Sequence, residues 1–113
     1  MALYYNLPVY RDTYRLVLTI FTLSKDFSKE YKYSLGQDMK RDALQLVRCI
    51  YRANKSTDKQ THLDAFLDEF ELLKLEIRLC GDMKILSPKK LAELAVLMDS
   101  IGKQVTGWRN ASQ

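Results

Sequence analysis

Three stretches of this chain repeat apolar residues at alternating steps of three and four, a rhythm that leaves few folds open. Met39, Ala43, Leu46, Ile50 and Ala53 make one seam; Leu63, Phe66, Phe70, Leu73, Ile77 and Cys80 a second; Leu91, Leu94, Met98, Ile101, Val105 and Trp108 a third. A helix turns by about 100° per residue, so each set falls on one narrow stripe. A period averaging 3.5 belongs to helices that supercoil left-handed around neighbours. Upstream, the run from Val9 to Leu23 continues without a breaker, giving a further helix. Four glycines and two prolines in 113 residues are too few for a many-turned β sandwich. The 18 leucines, against five valines and five isoleucines, favour side chains that keep their rotamer freedom in a helix.

Local signals set the expected boundaries. Pro8 suits a first helical turn, with Asn6 upstream as a cap, and predicts a helix over about 8–24. The polar and aromatic segment Ser24 to Tyr33 reads as a connection or a frayed turn. Ser34-Leu35-Gly36-Gln37 fits a capping box and opens a helix over about 34–54. Thr57-Asp58-Lys59-Gln60 is a second box, starting a helix that ends near Gly81 as a left-handed terminator. Ser87-Pro88 starts the last. The short loops predict an all-α, antiparallel up-down-up-down four-helix bundle, with residues 1–113 as a single domain.

The formal charge of +4 is a small difference between larger parts. Residues 57–82 carry −4, whereas 1–33, 34–56 and 83–113 carry +2, +3 and +3. Arg41, Arg48, Arg52 and Lys55 fall within roughly 60° of helix surface, opposite the Met39/Leu46/Ile50 seam. Such a stripe is either a solvated face or a surface for backbone phosphates or an acidic protein, with Lys74 and Arg78 next in line. A second apolar stripe runs outside the third helix at Ala65, Leu72 and Leu79, with Leu75 beside them, and Leu44, Val47 and Tyr51 widen the second helix's arc. A bundle needs one buried stripe per helix, so Leu72, Leu75 and Leu79 are candidates for contact with another subunit. Six of seven tyrosines lie in the first 33 residues, open to packing, to an interface or to base stacking.

Catalytic patterns are missing. A di-iron bundle site needs Glu-x-x-His from two helices, and the chain has one histidine, His62. A bundle ribonuclease would place an Arg and a His a turn or two apart on one helix; the nearest upstream arginine, Arg52, lies across a turn. No Gly-rich phosphate loop or nucleophile elbow is present. Neither catalysis, a metal nor a cofactor is expected. Cys49 and Cys80, 31 apart, read as reduced core thiols. With no uninterrupted apolar window of 18 residues and with Arg11, Asp12 and Arg15 early in the chain, we expect a cytoplasmic protein without membrane span or leader.

Three runs carry a resemblance: Leu7-Pro8-Val9-Tyr10-Arg11; Phe27 with Lys32-Tyr33-Ser34-Leu35-Gly36-Gln37; and Ile101-Gly102-Lys103-Gln104-Val105-Thr106-Gly107-Trp108. Over about 7–109 the chain resembles the four-helix-bundle family of ribosomal RNA intervening-sequence proteins and the accessory variability proteins (Avd) of diversity-generating retroelements. The intervening-sequence branch carries a Ser-Ile-x-x-Asn-Ile-Ala-Glu-Gly stretch late in its second helix. Here that region reads Gln45-Leu46-Val47-Arg48-Cys49-Ile50-Tyr51-Arg52-Ala53-Asn54, and the glycine-tryptophan tail is more similar to the Avd branch. That resemblance implies a homopentameric ring with a basic surface, which binds nucleic acid and associates with a retroelement reverse transcriptase without doing chemistry itself. The alternatives are an intervening-sequence bundle of unknown role, or a protein-only scaffold docking an acidic partner.

Overall fold

Pro8, which has no backbone N–H to leave unpaired, occupies the first turn of the first long helix. The structure is a computed structural model that describes residues 3–113. A single 3-10 turn, Tyr4–Asn6, leads into α1 (Pro8–Ser24), followed by the one-turn α2 (Lys29–Lys32), α3 (Leu35–Lys55), α4 (Lys59–Asp82) and α5 (Pro88–Ala111). The four long helices pack into a bundle of 43 × 22 × 22 Å in which α1 touches α3 and α5, and α4 touches the same two.

Residue pairings give the directions. Ser24 at the end of α1 lies against Gly36 at the start of α3, while Tyr4 meets Tyr51 at the other end. Met39 Sδ lies 3.6 Å from Cys80 Sγ, joining the start of α3 to the end of α4. Gly81 faces Leu91, Gly102 faces Phe70 and Arg109 pairs with Asp64, so α5 runs back along α4. Gln104 donates to Asp12 at 2.7 Å, closing α5 on α1. Every adjacent pair is antiparallel.

The seams make the core. All five α3 residues and all six α4 residues of the expected stripes are buried, as are Leu94, Met98, Ile101 and Val105, with Leu91 and Trp108 half-buried at the ends. Val9, Leu16, Val17 and Ile20 of α1 complete it, and Phe27 tucks beneath the α1–α3 connection. Both cysteines are free and buried, as read from the sequence. Among the described residues no helix is long and apolar enough to cross a membrane.

Several terminal signals resolve differently from expectation. Ser34 does not cap α3, because its hydroxyl donates back to the Glu30 carbonyl at 2.7 Å and closes the α2 turn. The segment read as a frayed connection contains that turn. The cap of α4 is Asp58 rather than Thr57: its carboxylate accepts the Thr61 N–H at 3.3 Å, and the Thr61 hydroxyl as well. Asn6 belongs to the 3-10 turn, and Leu7 occupies the position before α1 without a side-chain cap. Gly81 is helical, and the left-handed residue that follows α4 is Lys84, at φ 59°. Gly81 instead faces α5, where a β-carbon would stand 2.9 Å from Leu91 Cδ1 and the end of that half-buried leucine would have to shift. Ser87 caps α5 as expected, accepting the Lys90 N–H at 3.2 Å.

Candidate nucleic-acid interface

α3 buries Met39, Ala43, Leu46, Ile50 and Ala53, so helical geometry turns Arg41, Arg48, Arg52 and Lys55 outward, and all four are exposed. They differ in how far neighbours already compensate them. Arg41 lies 3.2 Å from Asp38 and 3.5 Å from the buried Asp42. Lys55 sits 4.5 Å from the centre of the Tyr51 ring and 3.4 Å from its hydroxyl. Arg48 and Arg52 have no carboxylate partner within 4.0 Å among the described residues. An uncompensated guanidinium is the one whose charge is available to an incoming phosphate.

Lys74 and Arg78 do not join the stripe. They border a groove between α4 and α5 with Ile77, Leu91, Ala95, Met98 and Asp99. Lys74 pairs with Glu71 at 3.2 Å and covers the Phe70 ring, and Arg78 pairs with Asp82 at 3.8 Å. The candidate cations therefore form two groups on different sides of the bundle, and Arg48 and Arg52 are the uncompensated ones.

Leu72, Leu75 and Leu79 are exposed on the outside of α4, and Met83 extends their line past the helix end. A second exposed apolar area spans α1 and α3, where Tyr14, Leu18, Phe21 and Leu44 surround a shallow cavity also lined by Val17. Leu18 and Phe21 are new here. Their signal is a second α1 stripe, Tyr14, Leu18 and Phe21, stepping by four and three on the far side of Val9 and Leu16.

Beneath Arg41 the α3–α4 seam carries two acids in apolar surroundings. Asp42 is 4% and Glu76 6% exposed, and Asp42 Oδ2 and Glu76 Oε1 have no hydrogen-bond partner among the described residues. Burial pushes the Glu76 carboxyl up to about 8, helped by the hydrogen bond that protonated Glu76 donates to Asp42 and by the charges of Asp42 and Asp38, with Arg41 opposing. Cys80 beside it is raised to about 11 by burial and by Glu76. Further along, burial and Glu69 raise Cys49, with Arg52 and Arg48 opposing. The signal for this row lay in the spacing: Asp42 with Cys49, and Glu69 with Glu76, are each seven apart at the seam edge.

Residues 9–112 match the model of a family described as bAvd-like. The chain belongs to the bAvd-like family. Of the two branches that the sequence resembles, this match names the Avd one, and it covers nearly the whole bundle. No curated protein matches the chain. Within this bAvd-like bundle, two of the glycines that carried the resemblance have a packing reason. A β-carbon at Gly36 would stand 3.1 Å from Phe27 Cδ2 and 3.2 Å from the Tyr31 carbonyl oxygen, and one at Gly102 would stand 3.3 Å from Phe70 Cε2. Among the described residues no group of three or more His, Cys, Asp or Glu is arranged to hold a metal ion.

Proposed function

We propose that this chain is a non-catalytic accessory protein that binds nucleic acid, the partner of a retroelement reverse transcriptase, and works as a homopentamer. The observation that carries the nucleic-acid part is the exposed α3 stripe, in which Arg48 and Arg52 have no carboxylate partner among the described residues. Membership of the bAvd-like family supports the accessory role. Subunits assemble through the apolar outside of α4, Leu72, Leu75 and Leu79, which the monomer leaves exposed. In a ring of such subunits the stripes repeat around the assembly, and many weak phosphate contacts add. Arg48 and Arg52 lead the contacts, Arg41 and Lys55 flank them, and Lys74 and Arg78 provide a secondary cationic edge.

The test is RNA binding by fluorescence anisotropy with a structured RNA. Replacing both residues, Arg48→Glu and Arg52→Glu, is expected to weaken binding at least tenfold, since each lost phosphate contact costs about 1 kcal/mol or more and each new carboxylate repels. Binding unchanged in the double variant would overturn the stripe. An acidic protein that stays bound to the wild type after nuclease treatment, with no RNA affinity, would support the protein-only scaffold instead.

A further inference from the structure

Five tyrosines collect at the end of the bundle where α1 begins and α3 finishes. Tyr4 is their hub: its ring meets Tyr5, Tyr10 and Tyr51 edge-on, with centroids 5.4, 5.3 and 5.2 Å apart. Tyr14 lies nearly parallel to Tyr10, at 6.3 Å and 20°. Although each ring is braced by another, Tyr5, Tyr14 and Tyr51 remain 50, 54 and 42% exposed. Tyr51 also belongs to the helix that carries the basic stripe. Arg48 precedes it by three residues, Arg52 follows directly, and Lys55 stands over its ring at 4.5 Å.

We propose that this tyrosine cluster is a stacking platform that makes the nucleic-acid surface selective for single strands over duplex. The proposal rests on the nucleic-acid reading above and adds the strand state of the ligand. Arginines along a helix hold the phosphates of either strand state, and the higher charge density of a duplex gives them no reason to prefer single strands. Aromatic faces distinguish the two, because the bases of a duplex are stacked on each other and only an unpaired base has a free face to offer. Rings fixed by edge-to-face neighbours lose little freedom on binding, so more of the stacking energy appears as affinity. A protein-docking role for the same rings is the competing occupant. The adjacent cations match a polyanion carrying planar bases better than an apolar protein surface, and because Lys55 already covers Tyr51, the more exposed Tyr5 and Tyr14 carry the stacking.

The experiment compares a labelled oligouridylate with a hairpin duplex by anisotropy, using the full chain. Wild type is expected to bind the single strand more tightly. Tyr5→Leu and Tyr14→Leu, which keep apolar bulk but remove the ring, should each weaken the single strand roughly tenfold and leave the duplex unchanged. Tyr5→Phe and Tyr14→Phe should bind as wild type does. Leucine variants that bind the single strand normally, or that weaken both probes equally, overturn the platform while the stripe stands. So does a drop in assembly mass without a change in binding, which would make the rings a protein contact. Wild type that binds neither probe fails the nucleic-acid reading itself, and the platform with it.

Discussion

Glu76 is the residue whose chemistry departs furthest from its type. It is buried against Asp42 and held near 8, so the folded chain keeps a proton there that the unfolded chain releases near 4.5. A group that binds its proton more tightly when folded contributes most below the unfolded value, and that contribution is lost as pH rises toward the folded one. Stability should therefore decline between about pH 5 and 8. Glu76→Gln keeps the neutral shape without the titration. In urea unfolding it is expected to match wild type near pH 5 and to exceed it by on the order of 2 kcal/mol near pH 8, with screening by Arg41 and solvent at the rim allowed for. A wild-type midpoint that rises across that window would show instead that Glu76 is ionised in the folded protein.

At the scale of elements, glycines separate close packing from open surface. Gly36→Ala drives a methyl into Phe27 and the Tyr31 carbonyl oxygen, where α1, α2 and α3 converge, and is expected to cost about 1–3 kcal/mol. Gly107→Ala meets nothing within 4 Å among the described residues, lies on a helix and should stabilise by roughly 0.5–1 kcal/mol. Thermal unfolding of the two variants checks both signs. The seams of α3, α4 and α5 were legible in the sequence because period alone decides which residues a helix can bury. The ends were less so, since a cap depends on what precedes it. Ser34 matches a capping box, but its hydroxyl is already taken by Glu30, an outcome that exists only once α2 has formed. Gly81 reads as a terminator until Leu91 from the next helix arrives beside it. The candidate stripe followed from period as well, as far as the exposure of its four cations. Which of them lack a carboxylate depended on side-chain reach: Arg41 is drawn to Asp38 and Asp42, whereas Arg48 and Arg52 have no acid one turn away.

For the whole molecule, the charge separation and the surplus apolar faces belong to one account. The helix that carries the acid, α4, also carries Leu72, Leu75 and Leu79 outside, while α3 presents the basic stripe. Subunits joined through the leucines of α4 would leave the basic stripe of α3 outside the joint, so that the +4 of each chain adds around the assembly. Light scattering is expected to give a multiple of 13.2 kDa for wild type and a return toward 13.2 kDa for the double variant Leu72→Glu with Leu79→Glu. A wild-type mass of one chain would remove that role from the leucines. The central claim, that uncompensated arginines on α3 hold nucleic acid by its phosphates, is met most directly by the salt dependence of RNA affinity. Each neutralised phosphate releases counterions, so log K should fall linearly with log salt, and the slope should become shallower by about 2 per subunit engaged when Arg48 and Arg52 are both replaced by glutamate. A slope near zero in wild type, or one that the double substitution leaves unchanged, would contradict it.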